Sequence, residues 1–141
     1  MTPQHKPSFA FVAASWVALF AGFLAYIVGL WNAAMPLNEK GYYFTVLMYA
    51  LFAAVSLQKS VRDRLEGISV TTIYFGLCWA SIIISISLLA IGLYNAPHFA
   101  PSEKGFYAMS FVLSVFAAVA VQKNTRDIAA ADAQIDRVSG A

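Results

Sequence analysis

Charge is what this sequence has least of. Charged residues make up 11% of 141, about half the share of a soluble domain. Asp, Glu, Lys, Arg and His are wholly missing from Phe9–Leu30, Gly41–Gln58, Ile73–Tyr94 and Gly105–Gln122. A soluble helical bundle needs charge along one face of every helix, so that class is excluded. Ion-coupled transport usually leaves an ionisable group inside the membrane, and these runs offer none. The formal net charge of +2 is too small to point to a nucleic-acid partner. Cysteine is nearly absent as well: Cys78 stands alone, which excludes an internal disulfide and a cysteine-cluster metal site. Inside an apolar run it reads as a small hydrophobe. His5 and His98 have no ligand-spaced partners, and no nucleophile–base pair, Gly-rich phosphate loop or haem ligand pair occurs. No catalytic, cofactor-binding or metal-binding residue is expected, and the chain does not read as an enzyme.

What is present is a sequence written twice. Gly29-Leu30-Trp31-Asn32-Ala33 returns as Gly92-Leu93-Tyr94-Asn95-Ala96, and Glu39-Lys40-Gly41-Tyr42-Tyr43 as Glu103-Lys104-Gly105-Phe106-Tyr107. Gln58-Lys59 and Arg62-Asp63 return as Gln122-Lys123 and Arg126-Asp127. Such a repeat governs any reading of the fold.

The first uncharged run, at about 1.5 Å per residue, is about 33 Å long, enough for a hydrocarbon core of about 30 Å. It is too long for the apolar region of a secretory signal, and its Trp16 recurs as Trp79 deep in the chain. The third run is as long, the second and fourth, of 18 residues each, are nearly long enough, and all lack the alternation of a membrane β-barrel. The expected fold is therefore an all-α membrane protein with four transmembrane helices, a tandem duplicated helical hairpin. The expected divisions are an N-terminal tail over 1–8, a first two-helix repeat with its link over 9–70, a second repeat over 71–127 and a C-terminal tail over 128–141. The tails are expected to be mobile at the N-terminus and, at the C-terminus, a fraying helical extension followed by disorder.

Four crossings put both termini and the Lys59–Thr72 link on one side. That side carries Lys6, Lys59, Arg62, Arg64, Lys123, Arg126 and Arg137, against Lys40 and Lys104 opposite. The positive-inside rule then places both termini in the cytoplasm. Two crossings per repeat predict a parallel repeat, with a pseudo-two-fold axis along the membrane normal.

The repeated motifs admit structural and functional readings. Asn38 and Ser102 are expected to cap helices two and four, with Glu39 and Glu103 in the first turn facing the positive end of the helix dipole. Lys40 and Lys104 can reach headgroups or the neighbouring carboxylates, and Gly41 and Gly105 follow them. Asn32 and Asn95 are expected to close the preceding helices, where Asn tolerates a left-handed cap. The alternative is a charged mouth formed by the two Glu–Lys pairs. Trp31, Tyr42, Tyr43, Tyr94, Phe106 and Tyr107 read as an interfacial aromatic belt. At the other helix ends, Ala50, Ala54, Gln58 and Arg62 form one stripe, and Ser114, Ala118, Gln122 and Arg126 its twin. With Asp63 and Asp127 they serve either helix packing or cytoplasmic docking of a partner or ligand. Ser15, Ala18, Gly22, Ala25 and Gly29, like Cys78, Ser81, Ser85 and Gly92, form small-residue seams made to pack on protein. Trp16 and Trp79 need partners for their indole N–H groups, and Gln58 and Gln122 are the amides nearest in depth.

The Gly29-Leu30-Trp31-Asn32 run, the paired Glu-Lys-Gly-aromatic-Tyr segments and both copies of Gln-Lys-x-x-Arg-Asp resemble the YiaA/YiaB family of small bacterial inner-membrane proteins, over Trp16 to Asp127. The resemblance implies a multi-pass inner-membrane protein built from a two-helix unit, with no defined biochemical activity. Two functions stay open. One is a structural, interaction or regulatory membrane component, whose partners are the lipid bilayer, further copies of itself or another membrane protein. The other is a small transporter or channel for a neutral or weakly polar solute, along Ser81, Ser85, Ser110 and Ser114.

Overall fold

The computed structural model describes residues 5–140; Met1–Gln4, half of the tail expected at the N-terminus, lie outside the described residues. The order is α1 (Phe9–Asn32), α2 (Leu37–Leu65), α3 (Thr72–Tyr94) and α4 (Pro101–Ser139). All four are long and apolar enough to cross a membrane, and there is no strand among the described residues. The duplicated hairpin is thus seen as four helices. The helical extension expected in the C-terminal tail runs unbroken past Asp127 to Ser139, where Ala, Gln and Arg all favour helix, so the disorder expected to follow it does not begin before that residue.

Helix starts follow two patterns. Ser8 and Thr71 cap α1 and α3, their side-chain oxygens accepting from the amides of Phe11 at 3.2 Å and Tyr74 at 3.3 Å. The caps expected at Asn38 and Ser102 do not form. The N-cap positions are Pro36 and Ala100, with no side-chain cap bond, because each helix begins earlier. Extended Pro36 offers its carbonyl to Glu39 and Lys40, and Pro101 presets the helical φ at the first position of α4. Asn38 and Ser102 fall inside the first turn, alongside Glu39 and Glu103.

The helices do not pair within their own repeat. α1 lies along α4, α3 lies along α2, and α2 meets α4 between them, while α1 barely touches α2 and α3 barely touches α4. The order across the molecule is α1–α4–α2–α3. Each repeat lends its first helix to the other repeat's second helix.

The seams explain the small residues. A β-carbon at Gly22 would stand 2.7 Å from Ser114 Oγ and 3.1 Å from the Ser110 carbonyl. At Gly29 it would meet the Phe106 ring at 2.8 Å, and at the matching Gly92 the Tyr42 ring, also at 2.8 Å. Small side chains let backbones approach closely, which is how helices associate without a hydrophobic drive between them. Buried Ala50, Ala53 and Ala54 of α2, with Ala117 and Ala118 of α4, do the same in the middle.

At the Glu39 and Glu103 end the core is aromatic. Tyr26, Tyr43, Phe99, Tyr107 and Phe111 cluster with Leu30, Leu47 and Leu93. Tyr26 donates to the Tyr43 carbonyl at 2.7 Å and meets Tyr107 edge-on at 5.6 Å. The interfacial belt is correspondingly smaller than expected. Trp31 and Tyr94 are well exposed, whereas Tyr43 and Tyr107 are buried, because the second aromatic of each motif turns inward to pack with Phe99 in the core.

Candidate functional site at the crossed charged ends of α2 and α4

The polar residues that end the second apolar run of each repeat lie on α2 and α4, the two central helices, and meet there. Arg62 donates to Asp127 at 2.6 Å, and Arg126 reaches Asp63 at 2.9 Å. The pairs are exchanged: each Arg bonds the Asp of the other repeat. Within each helix Lys59 pairs with Asp63 and Lys123 with Asp127, both at 2.7 Å. Glu66 joins the halves, accepting from Arg62 at 2.7 Å and from Arg126 at 2.8 Å.

Burial makes these contacts matter. The Asp63 side chain is 7% exposed and that of Asp127 15%. A carboxylate out of water needs several charge-assisted bonds to remain ionised, and each Asp has two cationic partners. Arg62, and then Arg126, hold the Glu66 carboxyl below the usual carboxylate range. This accounts for the Arg and Asp of both motifs together. The cluster is closed on itself, which favours helix packing over an open docking site.

Just inside the network lies a second exchanged pair. Asn124 of α4 donates to Ser15 of α1 at 3.2 Å, and Ser60 of α2 contacts Cys78 of α3 at 3.8 Å. Ser60 and Asn124 occupy matching repeat positions, as do Cys78 and Ser15. Sequence reasoning passed over Ser60, Asn124 and Glu66. The first two carried a signal in their register with the repeat; Glu66 carried none, since Ala130 stands at its matching position. Gln58 and Gln122 are half-buried on the predicted stripes, and Gln58 Oε1 is buried without a partner. The expected partnership with tryptophan fails, because Trp16 and Trp79 face outward, each nearly half exposed. Trp16 stacks on Phe20 instead.

At the opposite end, Asn32 and Asn95 do close their helices, but without a left-handed residue. Each side-chain amide donates to a carbonyl one turn back, Val28 at 2.8 Å and Ile91 at 2.9 Å. Lys40 and Lys104 donate to the Trp31 and Tyr94 carbonyls at 2.8 and 3.4 Å. The lysines therefore help to satisfy the ends of α1 and α3 rather than bonding Glu39 and Glu103 into a charged mouth. A side chain at Gly41 or Gly105 would meet nothing within 4 Å, and nothing in the structure explains these glycines.

The serines proposed as a solute path are buried at helix seams. Ser85, Ser110 and Ser114 bond carbonyls of their own helices, which satisfies the hydroxyls without an opening between helices.

The family described as the yiaA/B two helix domain matches residues 11–63 and again 74–127, the two repeats. The chain is 56% identical to Inner membrane protein YiaA of Escherichia coli, over 87% of this chain and 83% of that one. It is 34% identical to Inner membrane protein YiaB of the same organism, over 67% of this chain and 80% of the relative. It is 36% identical to Uncharacterized membrane protein YubF of Bacillus subtilis, over 45% of this chain and 74% of the relative. No solved structure matches.

Proposed function

The chain belongs to the family of the yiaA/B two helix domain, and from that premise we propose that it is a structural, interaction or regulatory component of the inner membrane, without catalytic activity. Its relatives carry inner-membrane names with no activity attached, and its four apolar helices make it a multi-pass protein of that membrane. One observation carries the reading. The helices stand in the order α1–α4–α2–α3, with reciprocal contacts between repeats, so the Arg and Asp side chains at the ends of α2 and α4 are used in joining the two units.

The positive-inside rule supports placing both termini and the α2–α3 link in the cytoplasm, with the charge network on that side. The outward faces of α1 and α3, which include Phe20, Leu24, Ile83 and Ile86, suit lipid, a further copy or another membrane protein.

The test is flux measured together with stability in proteoliposomes of the full chain. No passage of small neutral solutes above that of protein-free vesicles is expected. Saturable flux in the wild type, blocked in a Gly22→Leu protein that remains folded, would replace this reading with the transporter.

A further inference from the structure

The duplication supplies an internal control, since each side of the molecule shows what packing alone requires at the matching positions of the other. Around one groove the α2–α3 seam carries hydroxyls that the α1–α4 seam lacks. Tyr49, Ser56, Tyr74 and Ser81 stand where the other side has Leu113, Ala120, Phe11 and Ala18. These four residues, with Phe52 and Cys78, line a groove of about 100 Å³ open to the outside of the helix pair. Among the described residues their hydroxyls make no hydrogen bond, unlike those of Ser60, Ser85 and Ser114, which bond within their own helices. Hydroxyls at an apolar groove lack water to satisfy them, so a ligand that brings polar atoms gains there.

The same stripe ends in a free cation. Ser56, Ser60 and Arg64 follow one another by single turns of α2. Arg64 makes no ion pair among the described residues, whereas Lys59, Arg62, Lys123 and Arg126 are all paired. Its guanidinium lies 4.2 Å from the centre of the Phe75 ring on α3, next to Tyr74 of the groove. The matching pair on the other side is Ile128 and Val12, so charge and ring are absent there together. Arg64 sits just beyond the apolar run, where phospholipid phosphates lie.

We propose that the α2–α3 groove is a binding site for one anionic phospholipid. Arg64 holds the headgroup phosphate, Tyr74 and Ser56 bond the glycerol and ester oxygens, and an acyl chain lies over Phe52, Leu77 and Ser81. The site is absent from the α1–α4 side.

Native mass spectrometry of the full chain, released from mixed micelles of dioleoyl phosphatidylglycerol and dioleoyl phosphatidylcholine, tests this. The wild type should retain one phosphatidylglycerol in preference to phosphatidylcholine. Arg64→Gln should weaken that retention about fivefold, matching about 1 kcal/mol for one basic residue at a lipid surface. Ser56→Ala with Tyr74→Phe installs residues the protein already carries at Ala120 and Phe11, so the fold is expected to tolerate them, and it should also weaken retention. Arg137→Gln, far along α4, should change nothing. Equal retention of the two lipids, an unchanged Arg64→Gln protein, or an unaffected double variant would overturn the proposal. So would inorganic phosphate competing for the site as well as the lipid does, since the acyl groove would then play no part. Circular dichroism of each variant separates loss of the lipid from loss of the fold.

Discussion

Gly22 faces Ser114 across the α1–α4 seam with no room for a methyl group, a β-carbon there falling 2.7 Å from the hydroxyl and 3.0 Å from the Ser114 amide nitrogen. The obstacle includes backbone, so α1 itself must move to admit a side chain. Gly22→Leu is expected to destabilise the folded protein by about 1–3 kcal/mol, the usual cost of overpacking. Thermal unfolding in detergent measures it, and an unchanged melting temperature would refute this account of the seam.

The exchanged ion pairs should be unequal to their exposed neighbours. Asp63→Asn leaves Arg126 and Lys59 facing a neutral amide at a buried position, and should cost about 3 kcal/mol, the lower end for a broken buried pair. Lys59→Gln removes a partner that is 57% exposed, and should cost less than about 1 kcal/mol. Comparable losses for the two substitutions would show that the crossed network does not hold the repeats together.

Acid should loosen the same end of the molecule. Because Arg62 and Arg126 lower the pKa of Glu66 in the folded state, its contribution is fully present above the unfolded value of about 4.3. It is lost as pH falls through the lower folded value. Stability should therefore fall as pH drops below about 4.3, and Glu66→Gln should flatten part of that decline while lowering stability at neutral pH. Identical pH profiles for the wild type and Glu66→Gln would remove Glu66 from the network.

Orientation is open to chemical labelling. With Cys78 replaced by serine, a cysteine at Ser60 is sheltered, so Ile68 in the exposed link and Met35 in the opposite loop are the informative positions. An impermeant thiol reagent added to intact spheroplasts should label Met35→Cys and spare Ile68→Cys. The reverse pattern would invert the topology.

Much of this architecture was readable from uncharged run lengths and the repeat, because a chain in lipid must satisfy its backbone within helices. Periodicity also placed Gly22 and Ala50 on contact faces. It could not say which helix each face meets, and so could not foresee that α1 leaves α2 for α4. That choice rests on complementarity between distant surfaces, such as Gly29 beneath Phe106. Belt and core aromatics were confused for the same reason: Tyr42 and Tyr43 are neighbours in sequence, and only packing separates the half-exposed ring from the buried one. Charge counting found Arg62 and Asp127, but their pairing spans two repeats.

The order of the helices across the molecule also sets the order of its assembly during synthesis. α3 meets its partner α2 as soon as it enters the bilayer, whereas α1, the first helix made, must wait for the last. Even the onset of α4 follows the end of α1 by roughly 3–14 s at a ribosomal rate of about 5–20 residues per second. Throughout that interval the Gly22 face has only lipid or its own hairpin partner against it. Leaving a charged side chain against lipid for that time would be costly, and α1 has no ionisable side chain along Phe9–Asn32 except tyrosine, so it can rest in the bilayer until α4 arrives.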